Sequence, residues 1–240
     1  MSEPIENCYL CGKKLEGKID RDHVPPRQFY ATNIRKKHNP NLFTLPVHAS
    51  CNKAFQKDED YFIHSIAPIA QSSYSGSEIW KDIKHQFERP EGLMIGNMIS
   101  KEFDSRPSGL YLPNGKVIKR FDADRVWRVV WKIVRGLFFK EHNRILPDNT
   151  LQTYHKIISP EHEEPPPEFV VVRDTPSRGQ YPGVFDYKYI VIPELNNFHF
   201  WALLFWSRII KLIAFHDPDC ECKTCSKKSQ KVTSVIKPNA

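Results

Sequence analysis

Two short stretches decide how this chain folds: DRDHVPP at residues 20–26 and HASCN at residues 48–52. The first places the acidic residue Asp22 directly before His23, and the second places a His-x-x-Cys pair directly before Asn52. Carboxylate and amide oxygens are the ligands that Mg²⁺ prefers. The two stretches therefore predict that Asp22, His23 and Asn52 converge on one hard divalent ion, Mg²⁺ or Mn²⁺.

A second set of ligands is soft. Cys8 and Cys11 form a Cys-x-x-Cys turn that Gly12 closes, and His48 and Cys51 form the matching downstream pair. Two pairs with two-residue spacers are typical of a closed tetrahedral zinc site. The sequence thus predicts a structural Zn²⁺ that joins the two ends of a small module, while the harder ion binds to the oxygen ligands between them.

The residues around His23 match the needs of phosphodiester hydrolysis. That reaction requires a base for water and a cation against the developing negative charge. A neutral imidazole with an ordinary pKa of about 6.5 can supply the base. Neighbouring strand residues point to opposite faces, so Asp22 and His23 reach one ion only if the strand bends at its end, next to Pro25.

Residues 8–62 resemble an HNH endonuclease of the ββα-metal superfamily. Besides the zinc pattern, the resemblance rests on four motifs in order: DHVPP at 22–26, NLFTLP at 41–46, CN at 51–52 and KDEDYF at 57–62. It implies a metal-dependent cut in DNA that leaves 5′-phosphate and 3′-hydroxyl ends, with defence against foreign DNA as an expected role.

The resemblance also implies a role for individual residues. His23 is the general base, Asp22 and Asn52 hold the catalytic ion, and Asn41 holds the histidine-bearing loop in place. His48 stands where such modules usually have cysteine, and Asn52 stands where the last letter of the family name has histidine. Both replacements keep a side chain that can bind a metal.

The charge of the chain favours a polyanionic partner. The formal net charge is +7, and residues 100–145 contain eleven Lys and Arg against five Asp and Glu. Clustered basic side chains bind nucleic acid by releasing counterions from its phosphates. The candidate contacts lie in a loop at 27–40 and on one face of a helix at 122–140; for that face, an ordinary solvated surface is the alternative. They are Arg27, Arg35, Lys36, Lys37, Arg125, Arg128, Lys132 and Arg135.

The predicted fold is α+β. A zinc-stapled ββα-metal module at 1–66 precedes a mainly helical region at 67–158, a β-rich region at 159–218 and a basic, cysteine-containing tail at 219–240. The region after the module is expected to choose the substrate or to bind a protein partner, including a second copy of the chain. A short strand is expected at 169–172.

The apolar run at 198–215 is predicted to be a buried pair of strands rather than a membrane span, because it is short and carries Arg208 and Lys211. The N-terminal sequence has no apolar signal region, and closely spaced cysteines indicate metal binding in a reducing compartment; a cytoplasmic protein is expected. Near the C-terminus, a second zinc site and exposed thiols both remain open. The residues concerned are His216, Cys220, Cys222 and Cys225.

Two other functions fit the same sequence. One is a zinc-stabilised nucleic-acid-binding or scaffold protein without cleavage activity. The other is a nuclease directed at RNA, or a toxin effector. A nicking assay with a His23 variant separates the first from an endonuclease, and a comparison of DNA and RNA substrates tests the second.

Overall fold

The structure, a computed structural model, describes residues 5–109, 117–158, 167–181, 183–195 and 198–217. These residues form helices α1 (Thr32–His38), α2 (Ala49–Ile66), α3 (Tyr74–Phe87), α4 (Pro90–Ser100) and α5 (Ala123–His142). The strands are β1 (Ile19–His23), β2 (Thr44–His48), β3 (Phe103–Asp104), β4 (Ile118–Lys119), β5 (Gln152–Ile158), β6 (Phe185–Ile192), β7 (Phe198–Phe205) and β8 (Ile209–His216). This mixture of helices and strands confirms the predicted α+β class.

The N-terminal part begins with the turn that carries the first cysteine pair. The amide of Gly12 donates to the carbonyl of Cys8 at 2.7 Å, and Gly12 has φ +73°, a left-handed conformation that glycine adopts without strain. Strands β1 and β2 then pair antiparallel, with Ile19 opposite His48 and His23 opposite Thr44. Helix α2 follows β2 directly, so Cys51 and Asn52 lie in its first turn.

The C-terminal part is a four-stranded antiparallel sheet in the order β5-β8-β7-β6. Strands β7 and β8 are joined by a tight turn, and both Trp206 and Ser207 in that turn have positive φ. The predicted buried strand pair with a turn near Ser207 is therefore confirmed. Within the described ranges, none of the helices has the length and apolar character that crossing a bilayer requires.

Helix α5 lies between the N-terminal part and the sheet. It begins after Asp122, whose carboxylate accepts from the amides of Asp124 and Arg125, as an N-cap does. On one side, a Cβ on Gly136 would lie 2.6 Å from a methyl carbon of Val24, so the helix backbone and the end of β1 approach closely. On the other side, Trp131 and Phe138 pack on Phe215 of β8, and these contacts place α5 against both parts of the molecule.

The β7–β8 turn reaches back into the N-terminal core. The indole of Trp206 donates to the carbonyl of Phe29 at 2.9 Å, and its ring packs on Phe29 and Phe62. One continuous cluster of buried side chains therefore extends from Cys8 to Phe215. The C-terminal sheet supplies part of the packing that holds the N-terminal strands and α2.

Two local predictions are wrong. Residues 27–40 were expected to be a loop, but α1 forms there and ends at Asn39 in the left-handed conformation. Residues 169–172 were expected to be a strand, but they lie in a 3₁₀ helix, Pro167–Val172, of which only Val172 is buried. A short apolar run does not distinguish a strand from a helical turn by its pattern alone. Cys220, Cys222 and Cys225, and with them the question of a second zinc site, lie outside the described residues.

Candidate metal centre and adjoining cleft

The four predicted zinc ligands come together. The ligand atoms of Cys8, Cys11, His48 and Cys51 all lie within 4.8 Å of one another. The Nδ1 atom of His48 lies 3.4 Å from the Cys11 sulfur and 3.9 Å from the Cys51 sulfur. Ligands of a tetrahedral zinc ion, at about 2.0–2.3 Å from the metal, lie roughly 3.6 Å apart. The cluster can therefore hold a metal such as zinc.

The surroundings of His48 orient it as a ligand. Its Nε2 atom lies 2.9 Å from the carbonyl oxygen of Lys14, and donation there leaves Nδ1 unprotonated and directed at the thiols. Such an outer hydrogen bond is typical of metal-binding histidines. Burial, together with the neighbouring thiols of Cys11 and Cys8, raises the pKa of Cys51 to about 12. A bound cation reverses that effect, because a coordinated thiol loses its proton.

A cleft of about 610 Å³ lies beside this cluster, between β1 and the first turns of α2. Its walls bring together the three residues that the sequence assigns to catalysis at the metal: Asp22, His23 and Asn52. Its other polar residues include Asp20, Gln56 and Glu59. Asp22, His23 and Asn52 thus line one cleft, although they differ in how freely each can meet a ligand, and their convergence on one divalent ion stays a prediction.

His23 is half-buried at the end of β1, as expected. Burial first, and then the positive charge of Arg27, lowers its pKa below the usual 6.5, while the carboxylate of Asp22 opposes the shift. The imidazole is therefore mostly neutral at pH 7 and able to accept a proton. Among the described side chains, none makes a hydrogen bond to it.

Asp22 is the most enclosed of the three, at 4% exposed. Its Oδ1 atom accepts from the ammonium of Lys132 at 2.8 Å, and its Oδ2 atom accepts from the hydroxyl of Tyr9. Lys132 also donates to Glu59 of α2. Burial first, and then the Asp22 charge, raises the pKa of Tyr9, so this hydroxyl keeps its proton and donates. Both oxygens of Asp22 thus have partners within the protein.

Asp20 lies two residues earlier on β1 and is exposed. Strand residues two apart share a face, so its side chain follows Asp22 toward α2. The side-chain amide of Asn52 donates to Oδ2 of Asp20 at 2.9 Å. This hydrogen bond, followed by one from the amide of Arg21, lowers the pKa of Asp20, which keeps the carboxylate charged.

No protein-family model, curated protein or solved structure matches the chain. The HNH assignment of residues 8–62 therefore stays a prediction, and so do the roles that it implies. Asn41 is exposed in the segment between α1 and β2, where no described side chain bonds to it. The chemistry of the cleft must be inferred from its own side chains.

The basic helix face that was predicted to contact nucleic acid lies on α5, and the prediction is wrong for two of its four residues. Lys132 and Arg135 are only 1% and 2% exposed, and Arg135 donates to the carbonyls of Tyr9, Leu10 and Leu146. Their spacing matched that of a surface stripe, but the N-terminal part of the chain covers this face. Arg125 and Arg128 remain partly exposed, and both pair with Asp58.

The basic residues of the 27–40 segment that were predicted to contact nucleic acid lie at separate places in the structure. Arg27 is exposed and lines the cleft, whereas Arg35 lines a separate polar pocket with Asp82 and Arg89. Lys36 and Lys37 are exposed at the end of α1.

Several residues of the cleft were missed by sequence reasoning. Exposed basic side chains rim it at Lys18, Arg21 and Lys53, in addition to Arg27. Asp20 could have been found from its two-residue spacing to Asp22 on a strand. Nothing local to Glu59 indicated that its side chain would meet Lys132, which lies more than 70 residues away along the chain.

Proposed function

We propose that this protein is a metal-dependent endonuclease of the HNH type that hydrolyses phosphodiester bonds of DNA. The observation that carries the proposal is one cleft that contains a neutral, half-buried imidazole, His23, beside oxygen ligands for a divalent ion. The rim of exposed basic residues around it suits a phosphate backbone. The zinc cluster adjoins the cleft through the first turn of α2.

Each group has a task in this mechanism. His23 accepts the proton of the attacking water, and its lowered pKa keeps it able to do so at neutral pH. Asn52 and a carboxylate of β1 would hold Mg²⁺ or Mn²⁺, and the ion would supply positive charge against the negative charge that develops during hydrolysis. The zinc ligands fix the start of α2, and with it the direction of the Asn52 side chain.

The test is a plasmid-nicking assay with purified, zinc-loaded protein in Mg²⁺ or Mn²⁺. We expect nicking by the wild type and a loss of at least a hundredfold in His23→Ala, since general-base catalysis is worth about 10²–10⁴ in rate. The zinc content and melting temperature of the variant should equal those of the wild type. Equal nicking by both proteins would contradict the proposal.

One observation favours the second candidate, a zinc-stabilised nucleic-acid-binding protein without cleavage activity. Both carboxylate oxygens of Asp22 accept hydrogen bonds, from Lys132 and Tyr9, and the residue is buried, so an ion at this carboxylate would compete with the Lys132 ammonium. If the wild type binds DNA but does not nick it in Mg²⁺, Mn²⁺ or Co²⁺, that candidate replaces the endonuclease. Single-stranded DNA, duplex DNA and structured RNA should be compared in the same assay.

A further inference from the structure

We propose that Asp20, rather than Asp22, is the carboxylate that binds the catalytic divalent ion together with Asn52. The inference rests on the proposed function; it keeps Asn52 as a ligand of the ion and replaces Asp22, the other ligand expected from the sequence, by Asp20. Its basis is that the two carboxylates of β1 differ in their exposure and in their hydrogen-bond partners.

Asp22 is held by groups that a metal ion would have to displace. The Lys132 ammonium is buried between Asp22 and Glu59, and it already provides a positive charge for both. A divalent ion bound to Asp22 would lie next to that ammonium, and two cations at such a distance repel in a poorly solvated site. Asp22 therefore serves as a structural partner of Lys132 and Tyr9.

Asp20 has the opposite surroundings. It is exposed, and it lines the same cleft as His23. Among the described residues, its side chain bonds only to Asn52 and to the amide of Arg21. Water can therefore be exchanged for a metal ion here without breaking a buried ion pair.

The distance between Asp20 and Asn52 suits a hard ion. The amide nitrogen of Asn52 lies 2.9 Å from Oδ2 of Asp20. A half-turn of the amide exchanges its nitrogen and oxygen, which are assigned from the hydrogen bonds they make. Neighbouring oxygens around an octahedral Mg²⁺ at about 2.1 Å lie roughly 3.0 Å apart. After that half-turn, the two side chains offer one edge of such an octahedron.

The experiment measures Mn²⁺ binding directly, from the electron paramagnetic resonance signal of free Mn²⁺, in protein whose zinc site is already filled. We expect Asp20→Asn to weaken Mn²⁺ binding by at least thirtyfold and Asp22→Asn by less than threefold. Each substitution removes one carboxylate from the same wall of the cleft. The two variants therefore serve as controls for each other. Glu88→Gln, an exposed carboxylate away from the cleft, controls for net charge.

Zinc content and melting temperature are measured for each variant. If Asp22→Asn does not fold, Tyr9→Phe replaces it, since it frees one oxygen of Asp22 and should leave Mn²⁺ affinity unchanged. Tighter Mn²⁺ binding by Tyr9→Phe would overturn the inference.

The outcomes separate the inference from the proposed function. If Asp22→Asn loses Mn²⁺ while Asp20→Asn keeps it, and the wild type nicks DNA, the inference is overturned and the endonuclease stands. If Asp20→Asn binds Mn²⁺ and nicks DNA like the wild type, the inference is likewise overturned. If the wild type neither binds a second divalent ion nor nicks DNA, both fail.

Discussion

A single buried ammonium group connects the cleft to the rest of the molecule. Lys132 of α5 contacts Asp22 of β1 and Glu59 of α2, and its side chain is 1% exposed. Burial raises the pKa of Glu59, and the Lys132 charge opposes that shift. Without the ammonium, two acidic groups would face each other in a poorly solvated place.

Replacing this lysine should be costly. We expect Lys132→Met to lower the free energy of unfolding by about 3–5 kcal/mol, because it leaves buried carboxylates without their partner. Urea unfolding measures the loss. The triple variant, which adds Asp22→Asn and Glu59→Gln, should recover most of the lost free energy of unfolding. A loss below about 1 kcal/mol in Lys132→Met alone would show that the ion pairs of Lys132 contribute little to stability.

A second buried group predicts a pH effect on stability. His199 of β7 is 1% exposed and stacks on Phe215, with Asp217, Arg144 and His142 around it. Burial first lowers its pKa to about 4, although the hydrogen bond with Asp217 opposes the shift. The folded protein therefore resists protonation at this imidazole, and the unfolded chain does not.

The sign of the effect follows from proton binding. Between pH 6.5 and about 4 the unfolded state binds the extra proton, so His199 makes the protein less stable as the pH falls through this range, by up to about 3 kcal/mol. His199→Phe should reduce the slope of unfolding free energy against pH in that window and leave the slope above pH 7 unchanged. Parallel curves for the two proteins would show that His199 does not contribute to this slope.

At the scale of elements, the zinc cluster joins the first turn of the chain to the start of α2. Cys8 and Cys11 lie in that turn, His48 ends β2, and Cys51 lies in the helix. A zinc ion bound by this cluster would therefore hold these elements together, because its binding free energy would add to the folding free energy.

This arrangement predicts which substitutions keep the metal. We expect Cys51→Ser to reduce the zinc content from about one ion per chain to nearly none and to lower the melting temperature. His48→Cys should retain zinc, since a thiolate can replace the imidazole. Atomic absorption measures the zinc, and a strong chelator should lower the melting temperature of the wild type but not that of Cys51→Ser.

At the scale of the whole molecule, the C-terminal sheet and the N-terminal strands share one core through α5 and Trp206. Under the proposed function, the basic residues expected to face DNA are those on the rim of the cleft, because Lys132 and Arg135 are buried. The surface expected to meet nucleic acid is therefore smaller than the charge of the middle region suggests.

This surface can be tested by the salt dependence of DNA binding. We expect Lys53→Ala and Arg27→Ala each to weaken binding and to reduce the slope of log Kobs against log salt by about 0.9, the effect of one lost phosphate contact. Lys84→Ala removes an exposed charge of α3 away from the cleft and should leave the slope unchanged. Equal slopes for all four proteins would place the DNA elsewhere.

The sequence by itself determined the features that depend on short spacings. The clustering of Cys8, Cys11, His48 and Cys51, the helix near 122–140 and the β7–β8 pair were all predicted, since ligand spacers and apolar runs act over a few residues. The start of α1 and the 3₁₀ turn at 167–172 were not, because neighbouring packing decides between similar local conformations.

Only the tertiary structure decided which charged groups are buried. The spacing of Arg125, Arg128, Lys132 and Arg135 is the same whether their helix face meets water or protein. Only tertiary packing covers the last two: Lys132 meets β1 and α2, and Arg135 meets the carbonyls of Tyr9, Leu10 and Leu146. That packing also brings Lys132 to Asp22, whereas Asp20 stays exposed. Contacts between residues so far apart in the chain have no signature in local sequence, because they depend on how whole elements pack.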